Sequence, residues 1–169
     1  MKKIVIYKSK YGATKRYADC IAGKLGCDAF SMDAIKPEKL NLYDIIIIGS
    51  NIRMFKIGFS DFVHANADIL RDKKIVFFAV GAMPPETLEE QEKLRAEALE
   101  NFLTDAPMYY LKGDWNKEKM SFFDRLIANM AEKALSKKFP EKVSEFKGSG
   151  FSESAIAPII ESVEEIEKG

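Results

Sequence analysis

Five apolar runs recur along the chain, with amphipathic or charged stretches between them. Ile4-Val5-Ile6-Tyr7 is the first, and Cys27-Asp28-Ala29-Phe30-Ser31-Met32 is a shorter second. Tyr43-Asp44-Ile45-Ile46-Ile47-Ile48 ends at Gly49, and Lys74-Ile75-Val76-Phe77-Phe78-Ala79-Val80 repeats that design up to Gly81. The fifth run, Met108-Tyr109-Tyr110-Leu111, is followed by Lys112-Gly113-Asp114. Runs rich in β-branched residues and without polar alternation belong to strands buried on both faces. Helical patterns follow the first strand over Arg16–Ala22 and recur over Ser60–Leu70, Pro85–Leu103, Ser121–Leu135 and Glu153–Glu167. Pro85 and the acids Glu86, Glu89 and Glu90 suit the first turn of the third of these. Strands alternating with helices predict an α/β fold with a parallel sheet. The length of 169 residues suits a single domain over 1–169 with both sheet faces covered.

A sheet of this kind opens a crevice at the carboxyl ends of its strands. Three loops leave those ends here, over Ser9–Thr14, Ser50–Phe59 and Gly81–Glu86. The first, Ser9-Lys10-Tyr11-Gly12-Ala13-Thr14, lies between a buried strand and a helix. Such a loop points backbone N–H groups and a helix N-terminus at one spot, which suits a phosphate. Ser9 and Thr14 add hydroxyls, and Gly12 lets the backbone approach a ligand closely. An ordinary strand-to-helix turn with a capping residue is the competing reading of the loop alone. A triphosphate loop needs Gly-x-x-x-x-Gly-Lys-Ser/Thr, and a dinucleotide fingerprint needs three glycines; this stretch has one glycine.

Ser-x-x-Gly-x-Thr after a first strand resembles the phosphate loop of the flavodoxin-like FMN proteins, with Tyr11 standing where that family has a small hydroxyl residue or an acid. The resemblance implies a five-stranded sheet of order 2-1-3-4-5 in a three-layer flavodoxin-like sandwich. It makes Ser9, Lys10, Tyr11, Gly12, Ala13 and Thr14 the candidate phosphate site. Ser50, Asn51, Ile52, Arg53, Met54 and Phe55 become one ring-contacting loop, and Gly81, Ala82 and Met83 the other. Gly-x-x-Ile-Arg over residues 49–53 is similar to the flavodoxin-type, quinone-linked protoporphyrinogen oxidases. Arg53 could stabilise an anionic reduced ring or form a surface salt bridge. Trp115 could stack on the ring or anchor the segment that follows the fifth strand. Met54 and Phe55 could line the ring's edge or hold their loop down. No catalytic residue is singled out.

That segment separates the chain from a minimal flavodoxin. Residues 122, 123, 126, 127, 130 and 134 form one apolar stripe, with Lys133, Lys137 and Lys138 toward its end. The stripe predicts a helix packed on the body of the protein, or else a docking surface. The protoporphyrinogen oxidases of this fold carry a similar aromatic-Asp-Arg helix, as in Phe123-Asp124-Arg125. Residues 144–150 read as loop, and Pro158 leaves the start of the last helix open.

Lys plus Arg and Asp plus Glu number 26 each, so no overall field steers the chain toward nucleic acid. No stretch suits a signal peptide or a membrane span, which predicts a cytoplasmic protein and leaves peripheral membrane contact open. Cys20 and Cys27 lack the spacing and histidine company of a metal site and read as reduced thiols. The single histidine, His64, reads as a helix-surface residue. The chain lacks both the acidic pair of a receiver domain and the Cys-x-x-x-x-x-Arg of a small phosphatase. The expected function is an FMN-dependent oxidoreductase acting on a quinone or porphyrinogen type of substrate. The alternative is a flavodoxin electron carrier serving a redox partner. Balanced charge argues mildly against a general carrier, which would be acidic.

Overall fold

The computed structural model describes residues 1–54, 56–83, 85–138 and 150–169. β1 (Lys3–Lys8) leads into α1 (Ala13–Leu25), followed by β2 (Asp28–Ser31), β3 (Ile45–Arg53) and the short β4 (Lys56–Ile57). Then come α2 (Ser60–Ala65), α3 (Ala67–Leu70), β5 (Lys74–Gly81), α4 (Leu88–Ala98), β6 (Met108–Lys112), α5 (Phe122–Lys138) and α6 (Ala157–Lys168). The parallel sheet runs β2-β1-β3-β5-β6, with β4 paired antiparallel to the end of β3. Once β4 is set aside, this is the expected order 2-1-3-4-5.

The isoleucine run explains why the sheet lies between two helical layers. Ile46 and Ile48 join Ile4, Ile6, Phe77 and Ala79 in one core, which α2, α3 and α4 cover. Ile45 and Ile47 join Val5, Val76, Phe78 and Val80 in the other, against Tyr17, Ile21, Ile159 and Val163 of α1 and α6. Alternate side chains of each strand thus enter opposite cores, as a two-faced buried strand requires. Tyr17 is wholly buried and still places its hydroxyl 2.9 Å from the Lys112 carbonyl, tying α1 to the end of β6. A Cβ at Gly49 would fall inside the Phe78 ring. Gly49→Ala should therefore cost about 1–3 kcal/mol or more by overpacking, measured by chemical denaturation of the folded variant. A loss within 0.5 kcal/mol, the scale of an ordinary surface change, would show that Phe78 can move away.

Three expected elements differ from the sequence reading. The second loop does not begin at Ser50, because β3 continues to Arg53 and pairs Ser50 with Lys8 and Ala79. The helix expected over 60–70 breaks at Asn66, whose side-chain amide donates to the Phe62 carbonyl at 2.7 Å and competes with the helical backbone bonds. The helix expected from Pro85 starts at Leu88 instead, set by a reciprocal Thr87–Glu90 capping box. Pro158 falls in the first turn of α6, where proline is tolerated. The loop expected over 144–150 lies outside the described residues except for Gly150.

α5 departs most from expectation. Its buried side chains are Asp124 and Ala128, while Phe122, Phe123, Leu126, Ile127 and Met130 are exposed among the described residues. The stripe expected to pack on the body faces outward.

Candidate functional site

The strand register brings the predicted loops to one edge. Lys8 pairs with Ser50, Asn51 with Val80, and Gly81 with Lys112, so β1, β3, β5 and β6 end at a common level. The first loop closes directly onto α1, with Gly12 at its N-cap in the left-handed region (φ 95°). Glycine takes that conformation without the steric penalty of a Cβ. The Ser9 hydroxyl accepts the backbone N–H groups of Gly12 at 3.2 Å and Lys15 at 3.3 Å. The first turn of α1 contains no acid, and Lys10, Lys15 and Arg16 surround it. Hydroxyls, helix-start N–H groups and cations form a donor set that fits a phosphate monoester. Thr14 is buried behind this loop, and Ala13 is half-buried at the helix start.

The second predicted loop is a hairpin. Ile52 pairs with Ile57 and Arg53 with Lys56, and Met54 takes φ 50° at the turn. A bulky residue held there carries backbone strain, which is common where a loop must change conformation. Met54 is exposed, Asn51 and Ile52 are half-buried, and Ser50 is fully buried within the sheet. The Asn51 carbonyl accepts the Gly58 N–H at 3.0 Å, closing the hairpin base. Phe55 lies outside the described residues. Beside the hairpin, Gly81 ends β5 against the Ile52 side chain, with Ala82 half-buried and Met83 exposed beyond it; Pro84 is outside the described residues. Trp115 is half-buried, and the neighbouring Asp114 carboxylate pairs with Arg16 of α1 at 2.6 Å.

A residue that sequence reasoning did not assign to the site joins these parts. Asp124, in the first turn of α5, is 8% exposed. Its Oδ2 accepts from the Lys10 ammonium at 2.5 Å and from the Tyr11 hydroxyl. Its Oδ1 accepts from Arg53 Nε at 2.8 Å and from Arg53 Nη2. The Tyr11 hydroxyl also accepts the Ser121 backbone N–H at 3.1 Å. Arg53 therefore forms a salt bridge, as one of its two expected roles had it, yet the partner is a buried carboxylate at the site and not a surface group. Burial opposes the Asp124 charge, and the hydrogen bonds from Lys10, Tyr11 and Arg53 outweigh it, so its carboxyl titrates well below the ordinary carboxylate range.

The pH consequence has a definite sign. A carboxyl with a depressed folded-state pKa contributes stability that is present above its unfolded value near 4 and lost as pH falls through the folded value. Acid unfolding curves of wild type and Asp124→Asn should therefore differ less at pH 3 than at pH 6, and a constant difference would remove Asp124 from the acid response.

Other residues have ordinary surroundings. His64 is exposed and meets Glu100 Oε1 at 2.6 Å across the gap between α2 and the segment after α4. This agrees with a surface histidine and supplies a carboxylate partner from 36 positions away that no local pattern could reveal. Cys20 and Cys27 are free, and burial pushes both thiols up. No metal-binding group of three or more His, Cys, Asp or Glu side chains occurs among the described residues. No helix among them is long and apolar enough to cross a membrane.

With this geometry in view, residues 4–142 match the family model for the flavodoxin domain. The chain belongs to the flavodoxin-domain family. The flavodoxin domain here is 31% identical over 85 residues to a protein of Methanocaldococcus jannaschii described as uncharacterized, covering 50% of this chain and 57% of that one. The matched part thus spans little more than half of that relative. Among solved structures, a flavodoxin from the domain Archaea has a TM-score of 0.45 at 20% identity, covering 85% of this chain and 99% of that one. A WrbA-like flavodoxin from Agrobacterium tumefaciens has a TM-score of 0.47 at 22% identity, covering 79% and 99%. Oxidised Flavodoxin 2 from Bacillus cereus has a TM-score of 0.46 at 24% identity, covering 82% and 100%.

Proposed function

We propose that this flavodoxin domain binds FMN non-covalently and works as an oxidoreductase of the kind represented by the flavodoxin-type protoporphyrinogen oxidases. The observation that carries the cofactor reading is the first loop, where Ser9, Gly12 and the start of α1 gather donors at the carboxyl edge of the sheet. Ser9, Lys10, Tyr11, Gly12, Ala13 and Thr14 would hold the phosphate. Asn51 to Met54, Gly81 to Met83 and Trp115 would bound the ring. Bound FMN would supply the electron or hydride transfer, and the chain would supply binding, orientation and charge. Arg53 and Lys10 keep positive charge at this edge, which favours anions over neutral ligands.

The enzyme reading is supported by the outward aromatic face of α5, a helix that Asp124 attaches to both the first loop and the hairpin. A quinone or porphyrinogen has a large apolar ring surface, and an exposed aromatic face on a helix bonded to that edge is a surface of the kind that receives such a molecule. Titration of the ligand-free protein with FMN and with riboflavin, followed by anaerobic addition of protoporphyrinogen to the oxidised FMN form and of a quinone to the reduced form, tests both levels. One FMN per chain, bound more tightly than riboflavin, is the expected result. Failure to bind either flavin removes the cofactor reading. Binding without turnover removes the enzyme reading and leaves the electron carrier.

A further inference from the structure

Asp124 is unexpected at an edge built for anions. A carboxylate repels a phosphate, and this one is buried and bonded to Lys10 of the first loop and Arg53 of the hairpin. It also bonds α5 to the first loop and the hairpin, while Arg125, Asn129 and Glu132 bond the helix to the segment over 117–120. Ala128 is the other buried side chain described in that helix, so hydrogen bonds to Asp124 replace the apolar contact by which α1 and α6 are held. The backbone agrees with this attachment, since the Ser121 N–H donates to the Tyr11 hydroxyl and the Asp124 N–H to the Ser121 hydroxyl at 3.3 Å. A cluster of two cations, one phenol and one carboxylate thus spans three segments that are distant in sequence: residues 10–11, residue 53 and residues 121–124.

We propose that Asp124 is a positioning residue that sets the charge of the cofactor edge: it holds Lys10 and Arg53 in place while cancelling part of their attraction for an anion. The inference rests on the FMN reading for its ligand but concerns a charge balance that exists without it. A bare pair of cations would bind a phosphate more tightly, and would lose the one carboxylate that both of them share. With Asp124 present, binding strength is moderated and the two loops share one anchor. Because the same carboxylate fixes α5, the outward face of that helix is mechanically tied to the cofactor edge.

The test compares wild type with Asp124→Asn, which keeps the size and one of the two acceptor oxygens but removes the charge, and with Asp124→Glu, which keeps the charge. At low ionic strength Asp124→Asn should bind FMN about tenfold more tightly than wild type, as expected for removing one charge near a dianion in partly aqueous surroundings. Riboflavin affinity should be unchanged, and the FMN gain should shrink as salt screens the charges. Asp124→Glu should stay close to wild type. Equal weakening of FMN and riboflavin in folded Asp124→Asn would make Asp124 a structural clip, and unchanged affinity for both would place it too far from the anion; either result overturns the proposal. Inorganic phosphate supplies a flavin-free arm, in which thermal stabilisation by phosphate should be larger for Asp124→Asn than for wild type. If no flavin binds wild type, the cofactor reading fails alone and the phosphate arm still decides the charge role. If the Asn variant does not fold, Asp124→Ser carries the same comparisons.

Discussion

Replacing Ser9 with alanine is expected to weaken FMN by one to two orders of magnitude while leaving riboflavin binding nearly unchanged. The Ser9 hydroxyl already accepts the N–H groups of Gly12 and Lys15, so it organises the loop before any ligand arrives. Accepting those bonds uses only the oxygen lone pairs, so the same hydroxyl has its own hydrogen to donate to a phosphate placed at the loop. Alanine removes both roles. A charge-assisted hydrogen bond contributes roughly 1.5–3 kcal/mol, which converts to about 10–150-fold in affinity. Riboflavin lacks the phosphate and should not register the change. Parallel fluorescence titrations of the two ligands make the comparison, and equal losses for both would mean that the loop holds something other than the phosphate. Ser9 is the better position for this test than Thr14, which is buried behind the loop and whose removal would also disturb packing.

Much of the fold was legible because burial on both faces leaves a plain mark. The run from Ile45 to Ile48 has no polar position, and those four side chains enter the two cores alternately. The limits of elements were harder where two local signals competed. Pro85 and the acids around it suggested a helix start, yet Thr87 and Glu90 form the capping box that sets it, a signal that was present as Thr-x-x-Glu. The extension of β3 to Arg53 was hidden because Gly49 resembles a strand end. Its missing side chain in fact makes room for the Phe78 ring in the middle of a continuous ladder.

The site was legible in its first loop and illegible at its centre. Ser9, Gly12 and the start of α1 are neighbours in sequence, so their pattern can be read locally. Asp124 meets Lys10 and Tyr11 from more than 110 residues away, and although Phe123-Asp124-Arg125 resembles a family motif, nothing local shows that its carboxylate reaches the first loop and is more than an acid favoured by the dipole at a helix start. Periodicity also gave the stripe on α5 but not its direction. A 3.6-residue period identifies one face of a helix, and only tertiary placement decides whether that face meets the core or the solvent.

That outward face carries the second large expected effect. Phe122 and Phe123 are 77% and 72% exposed and pack edge to face on each other, with ring centroids 5.9 Å apart. A pair so exposed contributes little to the stability of the chain, so Phe122→Glu with Phe123→Glu should leave folding close to wild type, and FMN binding close to wild type at salt high enough to screen the two new exposed charges. Soluble proteins rarely keep apolar patches of this kind without a binding role. If the face receives a quinone or porphyrinogen beside the cofactor edge, the double variant should lower turnover with those substrates by tenfold or more. Each aromatic ring removed from water on binding contributes on the order of 1.5–3 kcal/mol, and the new carboxylates add a desolvation cost. Reduction of the bound cofactor by dithionite, which needs no apolar docking face, should keep its rate and serves as the control. Undiminished substrate turnover in a folded, FMN-loaded double variant would free α5 of any substrate role. Loss of electron exchange with a protein partner, with small-substrate turnover intact, would instead make the face a docking surface for a carrier.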